Sequence, residues 1–332
     1  MGKRKRLTVD AKKYVDERLQ NDRGDKMSQM KVAVTVDEKY LYPLKVMLHS
    51  LFTTQEENVV VYLLHTQIKE ELLIQMEDFC ASYGAKLQVV KMENTMFANA
   101  PIRLYFTIEM YYRLLLPWIL PREDKILYLD PDLVVINSLK DFWNMNLGDY
   151  EIAGIRERLL ITKEHRKNLG LASETVYLNS GVLLMDLAKI RKNKTMDDIQ
   201  KVLTEKEKVF IYPDQDLLNV LWEGQMRQVE DGYNLNPNIC YLKEYMQMLT
   251  MKGMRKCASI LHYMGAEKPW KKGYLRGAYL PWAKAEYAVN PQMRIKILGR
   301  MVLEPVRIVY MLMGFAKGIK HLGEKIRTNT KG

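Results

Sequence analysis

The sequence predicts an α/β fold, a mixed and mostly parallel sheet flanked by helices. Three observations carry that prediction. Apolar strand-like runs alternate with amphipathic helical runs from residue 31 to residue 130. Two of those strands end in an acid, Asp37 and Asp130. The chain of 332 residues is 48% apolar and 27% charged, enough to bury a sizeable core and too apolar for global disorder.

The elements follow in order. KVAVTVD (31–37) reads as a buried strand, and 42–53 as a helix with Leu44, Met47, Leu48 and Leu51 at helical spacing. NVVVYLLH (58–65) is the second strand; Lys69–Tyr83 is helical and closes near Gly84. AKLQVVKM (85–92) is the third strand. Residues 102–116 read as a helix stopped by Pro117, and DKILYLD (124–130) as the fourth strand. Strands alternating with helices imply a doubly wound sheet, which binds ligands at the carboxyl ends of its strands. Residues 157–175 read as a mobile connection or a short helix, and 236–258 as irregular.

Charge divides unevenly. The net charge is +11. Residues 1–30 hold nine Lys/Arg against five Asp/Glu, and 281–332 hold ten against three, which leaves 31–280 neutral. Cationic ends on a neutral body argue against a nucleic-acid enzyme and for attraction to an anionic surface. Three domains are therefore expected: a basic extension over 1–30, a neutral α/β body over 31–280, and a basic amphipathic helical segment over 281–332. In that last segment Met293, Ile297, Met301, Ile308, Leu312, Phe315 and Ile319 recur at roughly helical spacing among basic residues, with Pro305 as a kink. It reads as a helix lying in a lipid interface; the alternative is a helix packed on the body or in a dimer. No apolar run is long enough to cross a bilayer, and no secretory leader is visible. Cys80, Cys240 and Cys257 form no CxxC pair, so a disulfide framework and a cysteine zinc site are not expected. A cytoplasmic setting follows. Glycine-rich dinucleotide and P-loop cradles are both absent.

Four blocks carry chemistry. Asp130-Pro131-Asp132 follows a buried strand, and residues i and i+2 of an extended segment share a side. Two carboxylates so placed suit Mg²⁺ or Mn²⁺ bridging to phosphate, or else a plain Asp-Pro turn. His262, in HYMGAEKPW, could add a nitrogen ligand; Gly265 permits close backbone approach and Lys268 offers a point charge for phosphate. In YPDQDLLN, Asp214 either caps a helix or stands with Gln215 at a pocket wall. In NSGVLLMD, Asn179 and Ser180 open a strand and could hydrogen-bond a hydroxylated ligand, or form a turn.

These blocks, in this order, resemble the family 8 glycosyltransferases. TVDEKYLYPLKVMLHSL, YYRLLLPWILPREDKILYLDPDLVVINSL, LNSGVLLMDLAKIR, YPDQDLLN and HYMGAEKPW carry the likeness, over roughly Lys31 to Trp270. The resemblance implies a GT-A fold, Rossmann-like and specialised for nucleotide-diphospho-sugars, with retention of anomeric configuration. Its donor would be UDP-galactose or UDP-glucose, its acceptor a glycan or glycolipid of the cell surface such as lipopolysaccharide. By motif, Asp130, Asp132 and His262 are the implied ligands of Mn²⁺, with Mg²⁺ as a substitute. Gly265 and Lys268 are implied contacts of the diphosphate, and Asp37 and Tyr40 of the uracil. Arg113 is implied to reach the sugar or phosphate, and Asn179, Ser180, Asp214 and Gln215 the donor sugar, the last two as the catalytic pair. Two positions depart from the family pattern: Lys39 stands where some relatives have Asn, and Ser180 where Ala is common. An enzyme of this kind would rest on the inner face of the cell membrane through its basic C-terminal segment. Two other readings stay open, a haloacid-dehalogenase-like phosphatase using Asp130-Pro131-Asp132, and an inactive UDP-sugar-binding membrane protein.

Overall fold

A computed structural model of the chain describes residues 29–92, 108–157, 161–237, 250–274 and 278–303, with Val309 and Met313. The chain begins with β1 (Met30–Thr35), α1 (Leu41–Phe52), β2 (Val59–His65), α2 (Glu70–Ala81) and β3 (Lys86–Lys91), each within two residues of the expected bounds. The helix expected over 102–116 differs. Its residues 102–107 lie outside the described ones, Ile108–Leu115 winds as a 3₁₀-helix, and Pro117 sits in the first turn of α3 (Leu116–Ile119). Proline lacks an N–H, and the first turn of a helix needs none, so here it opens a helix rather than ending one.

Next come β4 (Lys125–Leu129), β5 (Leu133–Val135), α4 (Lys140–Trp143), β6 (Ile152–Arg156) and α5 (Lys163–Leu169). The short-helix alternative for 157–175 is therefore the one realised: the Thr162 hydroxyl caps the N-terminus of α5, and Gly170 (φ 75°) takes the left-handed position that ends it. Then follow β7 (Leu178–Asp186), α6 (Leu187–Asn193), α7 (Met196–Lys206), α8 (Pro213–Leu221), β8 (Met226–Gln228), α9 (Met251–Cys257), β9 (Ile260–His262), α10 (Tyr279–Val289) and α11 (Arg294–Val302). Residues 238–249 of the expected irregular stretch lie outside the described ones.

The chain forms two compact units. The first holds the described residues up to Glu38, Glu57–Leu129 and Met145–Gln228. Its seven-stranded sheet runs β3-β2-β1-β4-β7-β6-β8. The β1, β2, β3 and β4 pairings are parallel, while β7 is antiparallel to both β4 and β6, so the sheet is mixed as expected. β2 is buried along its whole length and β7 nearly so, which is why both read as near-continuous apolar runs. Leu183 of β7 pairs with Tyr128 of β4, and both side chains lie in the main apolar cluster.

The second unit holds Lys39–Glu56, Asp130–Asn144 and the described residues from Val229 onward. It contains the antiparallel pair β5–β9, with Leu133 opposite His262 and Val135 opposite Ile260. Its own apolar cluster joins Val46, Val134, Leu261, Tyr263, Tyr279, Trp282 and Ile297. Residue 280 is where the neutral α/β body is expected to end. It falls inside α10, whose Trp282, Ala283 and Glu286 are fully buried. Met293, Ile297 and Met301, for which a lipid interface and packing on the body are both open from sequence, pack on that same cluster. Charge and periodicity describe an amphipathic helix without saying what its apolar face meets. Among the described residues no helix is long and apolar enough to cross a membrane.

Leu183→Ala should cost about 2–5 kcal/mol, since it deletes a fully buried side chain at the middle of the sheet. The chemical denaturation midpoint reports that loss, and an unchanged midpoint contradicts the packing described.

Candidate functional site

Two polar clusters stand out, one in each unit. The first is built by the β5–β9 ladder of the second unit. Because Leu133 is paired with His262, the preceding residue Asp132 is carried to the imidazole across 130 positions of sequence. The Tyr263 N–H donates to the Asp132 carbonyl at 3.0 Å and fixes that register. His262 Nε2 lies 2.9 Å from Asp132 Oδ1 and 3.7 Å from Asp130 Oδ2. One ligand atom from each of Asp130, Asp132 and His262 lies within 4.8 Å of the others.

The other imidazole nitrogen is held as well. Leu235 bridges to Leu261, and the neighbouring Asn234 presents Oδ1 at 2.8 Å from His262 Nδ1. An amide oxygen only accepts, so Nδ1 carries a proton and donates it. Nε2 then faces carboxylates on its other side. The ring is thus held with Nε2 turned toward the two carboxylates. Sequence inspection gave no sign of Asn234, whose place depends on pairing in the folded chain.

Asp132 is buried, which by itself raises its pKa; the charges of Lys268 and His262 outweigh that and hold it well below the usual carboxylate range. Lys268 is buried too, donating to Asp132 Oδ2 and, at 2.9 Å, to the Tyr263 carbonyl. Gly265 has φ 86°, and a Cβ there would meet nothing within 4 Å, so backbone conformation is what calls for glycine. Two carboxylates and an imidazole, with a hydrogen-bonded residue behind the imidazole, form a donor set suited to Mn²⁺ or Mg²⁺. Tyr40 packs edge-on against Trp270, ring centres 6.1 Å apart. Asp37, in the first unit, is half-buried just past β1.

The second cluster lies in the first unit, where α8 runs against the start of β7. Pro213 occupies the first position of α8, so Asp214 lies inside the first turn and does not cap the helix. Asp214 Oδ2 accepts from the Ser180 hydroxyl at 2.9 Å and lies 3.4 Å from Arg113 Nε. Gln215 Oε1 accepts from the Ser180 N–H and from Asn179 Nδ2, both at 3.1 Å. Arg113 donates through Nη1 to the Ser180 carbonyl at 2.6 Å and lies over the Tyr128 ring at 4.4 Å. All five side chains expected here from sequence are thus brought together and buried.

Five further side chains brace the cluster, directly or through Asp216. Asn219, one turn beyond Gln215, pairs with both backbone groups of Leu178, at 2.6 Å and 2.8 Å. Asp216 is fully buried, accepting from Tyr177 Oη at 2.5 Å, from the Ile211 and Tyr212 N–H groups, and lying 2.8 Å from His165 Nε2. Burial, then the Asp216 charge, pushes the Tyr177 hydroxyl well above its ordinary pKa. Glu157 accepts from Asn179 at 3.1 Å. The i, i+4 spacing of Gln215 and Asn219 was a readable signal that both face one strand.

The family described as Glycosyl transferase family 8 matches residues 31–273. The chain is 25% identical over 276 residues to a lipopolysaccharide 1,2-glucosyltransferase of Escherichia coli K12, covering 80% of this chain and 79% of that protein. It is 21% identical over 247 residues to a lipopolysaccharide 1,3-galactosyltransferase of Salmonella typhimurium, covering 72% of each. Among solved structures it is similar to the galactosyltransferase LgtC in complex with donor and acceptor sugar analogs, with a TM-score of 0.68 and 23% identity over 78% of this chain and 96% of that one. That likeness shows the fold, which is the GT-A architecture expected.

Asn234→Ala should weaken Mn²⁺ binding by about 10–100-fold, because it frees the imidazole to turn. Titration calorimetry of the metal alone measures this, and wild-type affinity in the variant contradicts the role given to Asn234.

Proposed function

The chain belongs to glycosyl transferase family 8, and on that premise we propose that it is a retaining transferase moving galactose or glucose from a UDP-sugar to a glycan or glycolipid acceptor in cell-surface polysaccharide or lipopolysaccharide biosynthesis. One observation carries the reading: two carboxylates, a pinned imidazole and a lysine converge on one point in a member of this family. Family membership leaves the phosphatase alternative without support.

Asp130, Asp132 and His262 are assigned to hold Mn²⁺, or Mg²⁺ in its place. When bound, such an ion screens the negative charge that develops on a departing diphosphate. Lys268 is assigned to the phosphate oxygens, exchanging one anionic partner for another, with Gly265 giving backbone room. Asp37 and Tyr40 are assigned to the uracil. Arg113, Asn179, Ser180, Asp214 and Gln215 are assigned to the sugar.

For the chemistry, the state of Gln215 matters most. Its carbonyl already accepts two hydrogen bonds, which argues against its acting as a nucleophile. A same-face substitution is favoured. The acceptor hydroxyl oxygen bonds to the anomeric carbon as the bond from that carbon to the phosphate oxygen breaks, and the hydroxyl proton passes to the leaving diphosphate. Asp214 and Gln215 then orient the sugar, which supplies rate by fixing geometry.

Attachment to an anionic membrane surface on its cytoplasmic side is part of the proposal, with its starting point moved. The inner face of α11 is used by the protein, but Ile295 and Val302 are 86% and 76% exposed on its outer face. Beyond Leu303 the sequence adds six Lys/Arg against two Asp/Glu. Exposed apolar side chains beside cationic ones fit a lipid interface.

Asp132→Ala should abolish Mn²⁺-dependent release of UDP from UDP-galactose and UDP-glucose while thermal unfolding stays cooperative. Turnover at the wild-type level in that variant sinks the assignment. The double variant Ile295→Glu, Val302→Glu should bind phosphatidylglycerol vesicles less tightly in a sedimentation assay. The cationic contribution, about 1 kcal/mol per residue near the surface, should make wild-type binding fall as salt rises. Equal binding by both proteins rejects the outer face of α11 as the lipid contact.

A further inference from the structure

Ser180 engages the candidate sugar site through every polar atom it has. Its N–H donates to Gln215 Oε1 at 3.1 Å, its carbonyl accepts from Arg113 Nη1 at 2.6 Å, and its hydroxyl donates to Asp214 Oδ2 at 2.9 Å. The first two contacts are backbone contacts that any residue in this strand would make. The third exists only because position 180 is serine. Ser180, Asp214, Arg113 and Gln215 are each less than 9% exposed, so bulk water cannot readily replace a lost partner.

We propose that the Ser180 hydroxyl sets donor-sugar selectivity by locking the Asp214 carboxylate in one orientation. The proposal rests on assigning this cluster to the donor sugar, and deepens that reading by naming what discriminates between hexoses. A carboxylate on a short side chain turns about its Cβ–Cγ bond unless something holds it. Here one oxygen is held by a hydroxyl and lies beside a guanidinium, so the direction in which the group accepts hydrogen bonds is fixed. Galactose and glucose differ only in the direction of one hydroxyl. An acceptor fixed in space meets one epimer well and leaves the other badly paired. An acceptor free to turn adapts to both. Buried polar groups left unpaired by the wrong substrate are a strong source of discrimination. Ser180 acts through Asp214 and is a positioning residue in this account.

The test uses the full chain with Mn²⁺ and measures kcat/KM for UDP release from UDP-galactose and from UDP-glucose. Ser180→Ala removes one oxygen and keeps both backbone contacts. Ser180→Cys keeps a weak donor of nearly the same size and serves if the alanine variant does not fold. The ratio of the two kcat/KM values should fall toward unity by about fivefold or more in Ser180→Ala and by less in Ser180→Cys, mostly through loss of the preferred donor. A merely structural role would lower both donors in step, so a ratio held within about twofold of wild type in the folded variants overturns the proposal. A wild-type ratio already at unity overturns it too, while leaving the transferase reading standing. Wild type that releases UDP from neither donor removes that reading, and this inference with it.

Discussion

The short antiparallel ladder between β5 and β9 is the constraint on which the metal-type cluster depends. Two strands of three residues set Leu133 opposite His262, and that pairing alone carries Asp132 to the imidazole. A slip of one residue would turn His262 to the other face of its strand and dismantle the cluster. Burying a carboxylate costs several kcal/mol unless it is paired and hydrogen-bonded. Asp132 is buried with Lys268 on one oxygen and His262 on the other, and Asn234 stands behind the imidazole. The register that builds the site therefore also supplies what offsets its electrostatic cost.

The fastening of α8 to β7 follows a different logic. Gln215 and Asn219 are one helical turn apart, and each bonds to the backbone of the strand, at Ser180 and Leu178. Asp216, on another side of the same turn, receives the N–H groups of Ile211 and Tyr212 and the hydroxyl of Tyr177. Its negative charge near the N-terminus of a helix is favourable, and its hydrogen bonds satisfy donors that helix geometry leaves unpaired. Asp216 fixes the turn on which Asp214 and Gln215 stand. Three acidic or amide residues in one motif thus divide into two that face the cluster and one that holds them in place.

Legibility in the sequence tracked how local each determinant is. Strands β1 to β4 and helices α1 and α2 were readable because their apolar period lies within each segment. The stretch around Pro117 was misread because proline both ends and begins helices, and which it does depends on residues it packs with. The two carboxylates and His262 were recognisable as types, and the resemblance gave their pairing, but Asn234 was not, since only strand pairing places it. The surroundings of α11 are hidden for a related reason. Met293, Ile297 and Met301 show the same spacing whether they meet lipid or Trp282, and the partly buried Glu286–Arg300 pair at 3.0 Å, which ties α11 to α10, leaves no mark on periodicity. Unequal charge between body and terminus describes what surrounds the helix and not which face is spoken for.

The two clusters differ in the kind of ligand their electrostatics admits. The Asp130–Asp132–His262–Lys268 group is built from two carboxylates, an imidazole and an ammonium in close contact. Such a group gains most from a ligand that brings opposite charges together, a cation with an anionic phosphate, because each new charge replaces a partner instead of adding an unpaired one. The Arg113–Asn179–Ser180–Asp214–Gln215 group balances its one guanidinium against one carboxylate and lines the rest with amide and hydroxyl dipoles. Bringing a further net charge there would leave it unneutralised, whereas neutral hydroxyls can exchange hydrogen bonds with fixed dipoles at little electrostatic cost. A phosphate held by a cation is a ligand of the first kind, and a neutral polyol is a ligand of the second.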